Sequence, residues 1–131
     1  MSWEDNVEFS TLIGKTLTSI IGAVGSDQIV IETDQGEKFI MYHSQDCCES
    51  VEVEDICGDL ADLIGSPIVL AEESSSENNP PGVTKDFQDS FTWTFYRLQT
   101  AKGLVVIRWY GESSGYYSEP VKFERFERSA I

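Results

Sequence analysis

The sequence predicts an α+β domain, with a twisted antiparallel sheet of about six to eight strands and one or two short helices on one face. Short stretches with alternating apolar residues recur along the chain, and turn signals rich in glycine, serine and aspartate separate them. One stretch, residues 55–65, has its apolar residues at helical spacing instead. With 131 residues and 40% hydrophobic composition, residues 1–131 are expected to form a single globular domain.

The first third of the chain predicts a three-stranded meander. A short helical turn at residues 8–13 ends at Gly14, and the strand segments TLTSIIGAV, QIVIET and EKFIMYH follow. The sequence DQG at residues 34–36 is a tight hairpin signal between the second and third strands. Because side chains alternate along a strand, one face of the third strand is expected to carry Phe39, Met41 and His43.

The middle of the chain predicts strand, helix, strand and then a loop. SVEVED reads as a short strand, and the helix predicted after it has Asp55 as N-cap and Gly65 as C-cap. The apolar residues that predict this helix are Ile56, Leu60, Leu63 and Ile64. SPIVLAEE predicts another strand, and the polar residues 74–89 that follow predict an exposed flexible loop.

The last third predicts a run of strands, SFTWTFYRLQT, GLVVIRWYG and YYSEPVKFERF. Alternation groups Phe91, Trp93 and Phe95 on one face of the first of these strands. On the next strand it groups Val105, Ile107 and Trp109 on one face, and Leu104, Val106, Arg108 and Tyr110 on the other. The simplest interpretation places Trp93, Phe95 and Trp109 in the core.

The charge of the chain is unevenly distributed. The net charge is −14, and residues 1–79 carry 17 acidic and 2 basic side chains, whereas residues 80–131 carry 6 and 7. Such a surface repels nucleic acid and anionic membranes and attracts a basic partner, although solubility alone also explains it. The acidic surface predicted to meet a partner consists of Glu49, Glu52, Glu54, Asp55, Asp59 and Asp62.

The sequence also indicates a compartment. No apolar run approaches the roughly 18 residues that a membrane helix needs, and MSWEDNVEF lacks the features of a signal peptide. Three cysteines, an odd number, agree with reduced thiols. The expected location is therefore the cytoplasm, without a membrane contact.

Three separated blocks resemble a known family. YHSQDCCESVEVEDICGDLADLIGSPI, TWTFYRL and IRWYGESSGYYSEPV occur in this order over about residues 37–123. The pattern is similar to that of a family of small uncharacterised proteins found mostly in bacteriophages and prophages. The resemblance implies no established activity. It implies a phage accessory role in the host cytosol, in taking over the host or countering its defences.

The cluster from His43 to Glu49 offers chemistry of two kinds. Structural zinc prefers cysteines two to four residues apart, but Cys47 and Cys48 are adjacent and no second ligand pair exists, so neither a metal nor a cofactor is expected. A thiol nucleophile centred on His43 and Cys48 is the second possibility, although the surrounding carboxylates favour the neutral thiol. The structural alternative, which we favour, has one buried cysteine and His43 bonded to its turn through Asp46.

A third candidate lies on the strand with Arg108. Its side chain shares a face with Tyr110, and the GESSG turn is expected to bring Tyr116 and Tyr117 beside them, with His43 approaching from the third strand. A guanidinium among tyrosines suits an anionic, nucleotide-like ligand. The alternative is an ordinary cross-strand ion pair with Glu112 or Glu119.

These observations favour a phage-encoded, non-enzymatic binding protein. It would occupy a host protein with a basic surface, such as a defence protein, or sequester a small anionic ligand, and it would not bind nucleic acid directly. One alternative is a cysteine- or metal-dependent enzyme centred on His43 and Cys48. The other is an acidic DNA mimic that inhibits a nucleic-acid-binding host protein.

Overall fold

The computed structural model describes residues 4–6, 8–43, 49–79, 90–113 and 121–126. This part of the chain contains nine strands and two short 3-10 helices. In chain order the elements are β1 (Glu4–Asn6), η1 (Phe9–Leu12), β2 (Leu17–Ile21), β3 (Gln28–Thr33), β4 (Lys38–Tyr42), β5 (Ser50–Cys57), η2 (Leu60–Leu63), β6 (Leu70–Ser76), β7 (Ser90–Thr100), β8 (Gly103–Ser113) and β9 (Lys122–Phe126).

The strands form two antiparallel sheets that share one core. The five-stranded sheet has the order β1-β9-β4-β3-β2, and the four-stranded sheet has the order β5-β8-β7-β6. Fully buried side chains from both sheets belong to the same cluster; examples are Ile31, Phe39 and Met41 from the first sheet and Val53, Leu98 and Trp109 from the second. Apolar side chains on one face of each sheet therefore drive the packing.

The predicted α+β class is wrong, because the described residues contain strands and two single-turn 3-10 helices but no α-helix. The predicted helix at residues 55–65 spans a strand end and a turn. Ile56 pairs with Ile107 in the sheet, and Gly58 has a φ of 108° that no α-helical residue adopts. The apolar residues that predicted one helix therefore come from two elements, with Ile56 in β5 and Leu60 and Leu63 in η2.

The predicted glycines after the two helical turns and the predicted tight turn between β3 and β4 are confirmed. Gly14 and Gly65 both follow a 3-10 helix with positive φ angles of 89° and 87°. The hairpin turn at residues 34–36 lies between β3 and β4. The predicted face of β4 also points inward, where the buried side chains are Phe39, Met41 and His43.

The register of the β7–β8 hairpin shows on which face of the sheet each aromatic residue lies. Alternation along each strand is as predicted, and Trp109 is in the core with Ile107. The register, however, sets Trp93 opposite Tyr110 and Phe95 opposite Arg108. Directly opposed residues share a face, so Trp93 and Phe95 project from the face of the four-stranded sheet that is turned away from the main core cluster. Trp93 is nevertheless fully buried there, as predicted, whereas Phe95 is half-buried.

The expected loop at residues 74–89 is only partly described. Strand β6 continues through Ser76, so the first residues of that segment are paired with β7. Residues 80–89 lie outside the described part of the chain.

Candidate binding face of the four-stranded sheet

The register of the four-stranded sheet builds a polar and aromatic face on the side away from the core. Arg108 on β8 lies opposite Phe95 on β7 and Asp55 on β5. Two residues further along β8 and on the same face, Tyr110 lies opposite Trp93 on β7 and Glu52 on β5. We call this surface the outer face, and it is defined by Glu52, Glu54, Asp55, Phe91, Trp93, Phe95, Arg108, Tyr110 and Glu112.

A β-bulge supplies the partner of Arg108. Between Val53 and Asp55 the register with β8 shifts by one residue, and Glu54 is the extra residue. Its Oε1 atom accepts from Arg108 Nε at 2.8 Å and lies 2.6 Å from a terminal guanidinium nitrogen. Asp55 is 4.0 Å from that nitrogen. The guanidinium is therefore already engaged by β5.

The predicted ion pair of Arg108 with Glu112 is not formed, because the guanidinium pairs with Glu54 and lies near Asp55. Glu112 instead accepts a hydrogen bond from the hydroxyl of Tyr110 over 3.5 Å. Glu119 lies outside the described residues, as do Tyr116 and Tyr117. The expected grouping of these two tyrosines with Arg108 therefore stays a prediction.

Aromatic rings form a platform beneath the guanidinium. The guanidinium carbon of Arg108 lies 5.1 Å from the centre of the Trp93 ring, within range for a cation–π contact. The Trp93 and Tyr110 rings are 4.6 Å apart and tilted by 53°. Trp93 Nε1 donates to Asn79 Oδ1 at 3.0 Å. Arg108 is thus fixed by an ion pair on one side and by an aromatic ring on another.

The carboxylates of the predicted acidic surface differ in how exposed they are. Glu52, Asp55 and Asp59 are exposed, whereas Glu54 and Asp62 are half-buried. The Asp59 carboxylate accepts from Ala61 N at 3.0 Å and caps η2. The exposed carboxylates therefore follow the β5 edge of the sheet and continue into η2.

Glu49 does not belong to that surface. Its carboxylate lies 2.7 Å from His43 Nε2, and the two side chains are only 0% and 3% exposed. His43 follows β4 in the five-stranded sheet, so the register does not place it on the face of Arg108. The structure brings together Arg108, Tyr110 and the β5 carboxylates, and it places His43 with Glu49 instead.

The electrostatics of the outer face favour a cation. Four carboxylates, those of Glu52, Glu54, Asp55 and Glu112, stand on the same face as Arg108. The second guanidinium on this side of the sheet, that of Arg97, lies opposite Glu72 on β6. An anion would have to displace Glu54 and lie beside like charges, which is unfavourable at such distances. A Lys or Arg side chain from a partner would instead meet free carboxylates.

The described residues contain no group of three or more His, Cys, Asp and Glu side chains arranged to hold a metal ion. Cys57 is an exposed free thiol at the end of β5. Asp46, Cys47 and Cys48 lie outside the described part of the chain, so the predicted chemistry of His43 with Cys48 stays untested.

The sequence missed Glu54 as the partner of Arg108. The signal was present in the segment SVEVED, where strict alternation ends at two consecutive acidic residues, Glu54 and Asp55. One extra residue in a strand shifts the alternation in this way, which is what a bulge does. The bulge brings a second carboxylate within reach of the same face.

The described residues define a β-rich fold of two antiparallel sheets with an acidic and aromatic outer face. The chain belongs to the family defined by a domain of unknown function, DUF7448, whose model matches residues 10–123. No curated protein and no solved structure matches the chain. No helix among the described residues is long and apolar enough to cross a membrane.

Proposed function

We propose that this chain is a non-enzymatic binding protein whose outer face contacts a basic surface of a partner protein. The observation that supports this proposal is the pairing of Arg108 with Glu54, which leaves Glu52 and Asp55 exposed beside it. The face therefore offers carboxylates to a partner, while the guanidinium of Arg108 is already paired with Glu54.

The same contacts weigh against a small anionic ligand at Arg108. To bind phosphate, the guanidinium would have to give up Glu54, and the ligand would lie near Asp55, which is 4.0 Å from a guanidinium nitrogen. Charge-assisted hydrogen bonds contribute about 1.5–3 kcal/mol, so exchanging one for another yields little net affinity. A basic partner loses no existing contact and gains new ones.

The resemblance to phage proteins supports the finer part of the proposal. We propose that the chain is phage-encoded, acts in the host cytosol and occupies a host protein, for example one that serves in defence. A host protein that normally binds nucleic acid would present such a basic surface, and the chain would then act as an acidic mimic of DNA.

Affinity capture with charge-reversed protein tests the proposal. The test variant combines Glu52→Lys and Asp55→Lys, because Glu52 has no side-chain hydrogen bond among the described residues and Asp55 makes only the 4.0 Å contact. The control combines Asp34→Lys and Glu32→Lys at the end of β3 in the other sheet, where Glu32 makes only a partly exposed ion pair with Lys38. Both variants change the net charge by the same amount.

The proposal predicts a bacterial protein that binds the wild type and the control but not the outer-face variant. Because exposed charges are screened beyond about 8 Å at physiological salt, the complex should dissociate as ionic strength rises. Release by added duplex DNA would support the DNA-mimic form. If both variants lose every captured protein to the same extent, the negative charge serves solubility and the proposal is wrong.

A further inference from the structure

We propose that the free edge of β6 is a second docking site, which takes up an extended Lys- or Arg-bearing segment of a partner protein as an additional strand. This site lies on the opposite edge of the four-stranded sheet from β5. It goes beyond the proposed function, because it would bind a backbone in extended conformation rather than a folded basic surface.

The backbone of β6 has one open side. Among the described strands β6 pairs with β7 alone, and in an antiparallel edge strand alternate N–H and C=O groups point away from the neighbour. Among the described residues, no backbone group of residues 70–76 has a hydrogen bond outside the ladder to β7. These groups are available to an incoming strand.

Two other sheet edges are closed by the chain itself. At the β5 edge, Val53 N donates to Ser26 O at 2.9 Å and Gly25 N donates to Val53 O at 2.8 Å. At the β2 edge, Gly65 N donates to Leu17 O at 3.0 Å. Residues 14 and 15 bond Ile68 just before β6, but no described residue makes such a bond to residues 70–76, although an exposed edge is a liability that proteins usually block.

A groove of about 610 Å³ runs along this open side, between β6 and η1. Its apolar part comes from Phe9 and Ala71, both buried, and its polar part includes Ser10 and Ser75. A cavity of this size accommodates side chains of a short extended segment. The combination of free backbone groups and flanking pockets is the arrangement used for recognition by strand addition.

The negative charge of the groove favours a partner segment with basic side chains. The groove is lined by the carboxylates of Glu8, Glu72 and Glu73 and by one cation, Arg97, whose guanidinium donates to Ser74 Oγ at 3.4 Å. Burial raises the pKa of Glu73, and the negative charge of Glu8 raises it further. A basic side chain of the incoming segment would relieve this repulsion.

A second copy of the chain is a poorer occupant. Pairing β6 with another β6 would bring Glu72 and Glu73 near the same residues of the other copy, and each copy has a net charge of −14. Like charges that oppose one another in a sheet are destabilising. The groove therefore favours a basic partner segment over self-association.

Three synthetic nonapeptides test this proposal on the whole chain labelled with ¹⁵N. The first alternates lysine and valine, the second carries N-methyl groups at alternate backbone positions of the same sequence, and the third replaces each lysine with glutamate. Amide shifts of residues 70–76 report on the β6 edge, and amide shifts of β5 report on the outer face.

We expect the lysine peptide to shift the β6 amides and to slow their hydrogen exchange. The N-methylated peptide should bind at least about tenfold more weakly, because it lacks two or three backbone hydrogen bonds. The glutamate peptide should leave the β6 amides unchanged. Equal binding of the N-methylated peptide, or no shift in residues 70–76 with millimolar lysine peptide, would overturn the proposal.

Matched variants separate this site from the outer face. Glu72→Lys with Glu73→Lys should abolish the shifts of β6 with the lysine peptide, whereas Glu52→Lys with Asp55→Lys should preserve them. The two pairs make the same change in charge on opposite edges of one sheet. If the outer-face variant alone abolishes peptide binding, the peptide binds the outer face and the β6 site is wrong, while the proposed function is unaffected.

Discussion

Two side-chain pairs involve carboxylates in or next to strand β5, and they differ in how far water reaches them. The His43–Glu49 pair has side chains that are 3% and 0% exposed, whereas the Arg108–Glu54 pair has side chains that are 24% and 31% exposed. Glu49 and Glu54 come from the same acidic run in the sequence. The comparison shows that such a run is not a uniform surface, since one carboxylate is part of the interior and the other is accessible.

The difference in burial gives the pairs different roles. Removing one member of a buried pair takes a close contact from a polar group in the interior, which is costly. A half-exposed pair is partly solvated and contributes little to stability. We therefore regard His43–Glu49 as structural and Arg108–Glu54 as part of a surface that a partner can contact.

The largest predicted effect is that of Glu49→Ala, which should lower the free energy of unfolding by about 3 kcal/mol or more. Glu54→Ala, the matched control, should lower it by less than about 1 kcal/mol, because its pair is half-exposed. Urea denaturation of the two variants measures the difference. Equal losses for both variants would show that burial does not separate the two pairs.

A smaller effect is expected for Arg108→Lys. Lysine cannot reproduce the two nitrogen contacts with Glu54 or the stacking over Trp93, so we predict a loss of about 1 kcal/mol in stability. Arg97→Lys is the control, because Arg97 also lies on the outer side of the sheet but makes only a 3.4 Å contact with Ser74. Thermal unfolding of both variants checks the order, and a larger loss for Arg97→Lys would contradict it.

The smallest effect concerns a third pair, Lys15–Glu37, whose side chains are 25% and 16% exposed. The hydrogen bond from Lys15 lowers the pKa of Glu37 below its ordinary value of 4.5, against the opposing effect of burial. A lowered carboxyl pKa stabilises the fold above the ordinary value, and this stabilisation is lost as the pH falls through the folded-state value.

Glu37→Gln should therefore cost less than about 1 kcal/mol at neutral pH. The difference between wild type and variant should disappear in acid, when Glu37 is protonated in both the folded and the unfolded state. Unfolding measured across a pH series checks the sign. A difference that stays constant into acid would contradict the assigned role of the Lys15–Glu37 ion pair.

Sequence patterns predicted strands and tight turns well, because alternation and turn chemistry are local. For β7, however, they did not predict which face points toward the main core. Alternation grouped Phe91, Trp93 and Phe95 correctly, but the pairing of Thr100 with Gly103 across the turn between β7 and β8 decides that Trp93 meets Tyr110. Taking Ala101 and Lys102 as a two-residue turn would have predicted this register.

The helix prediction and the placement of Glu49 failed because they depend on non-local contacts. Gly58 closes the strand where its backbone packs against Leu104 and Val105; a Cβ there would lie 2.6 Å from Leu104 O. Glu49 is buried because His43 lies beside it at the end of another strand. Neither relation can be read from the spacing of residues 49–64 alone.

Carboxyl footprinting tests the central claim most directly. A carbodiimide couples glycine ethyl ester to accessible carboxylates, and mass spectrometry gives the extent of reaction at each residue, alone and with the captured partner. We predict that Glu52 and Asp55 react readily in the free protein and become protected by the partner, whereas Asp34 reacts equally in both states and Glu49 reacts in neither. Unchanged reactivity of Glu52 and Asp55 in the complex would contradict a role of the outer face in binding.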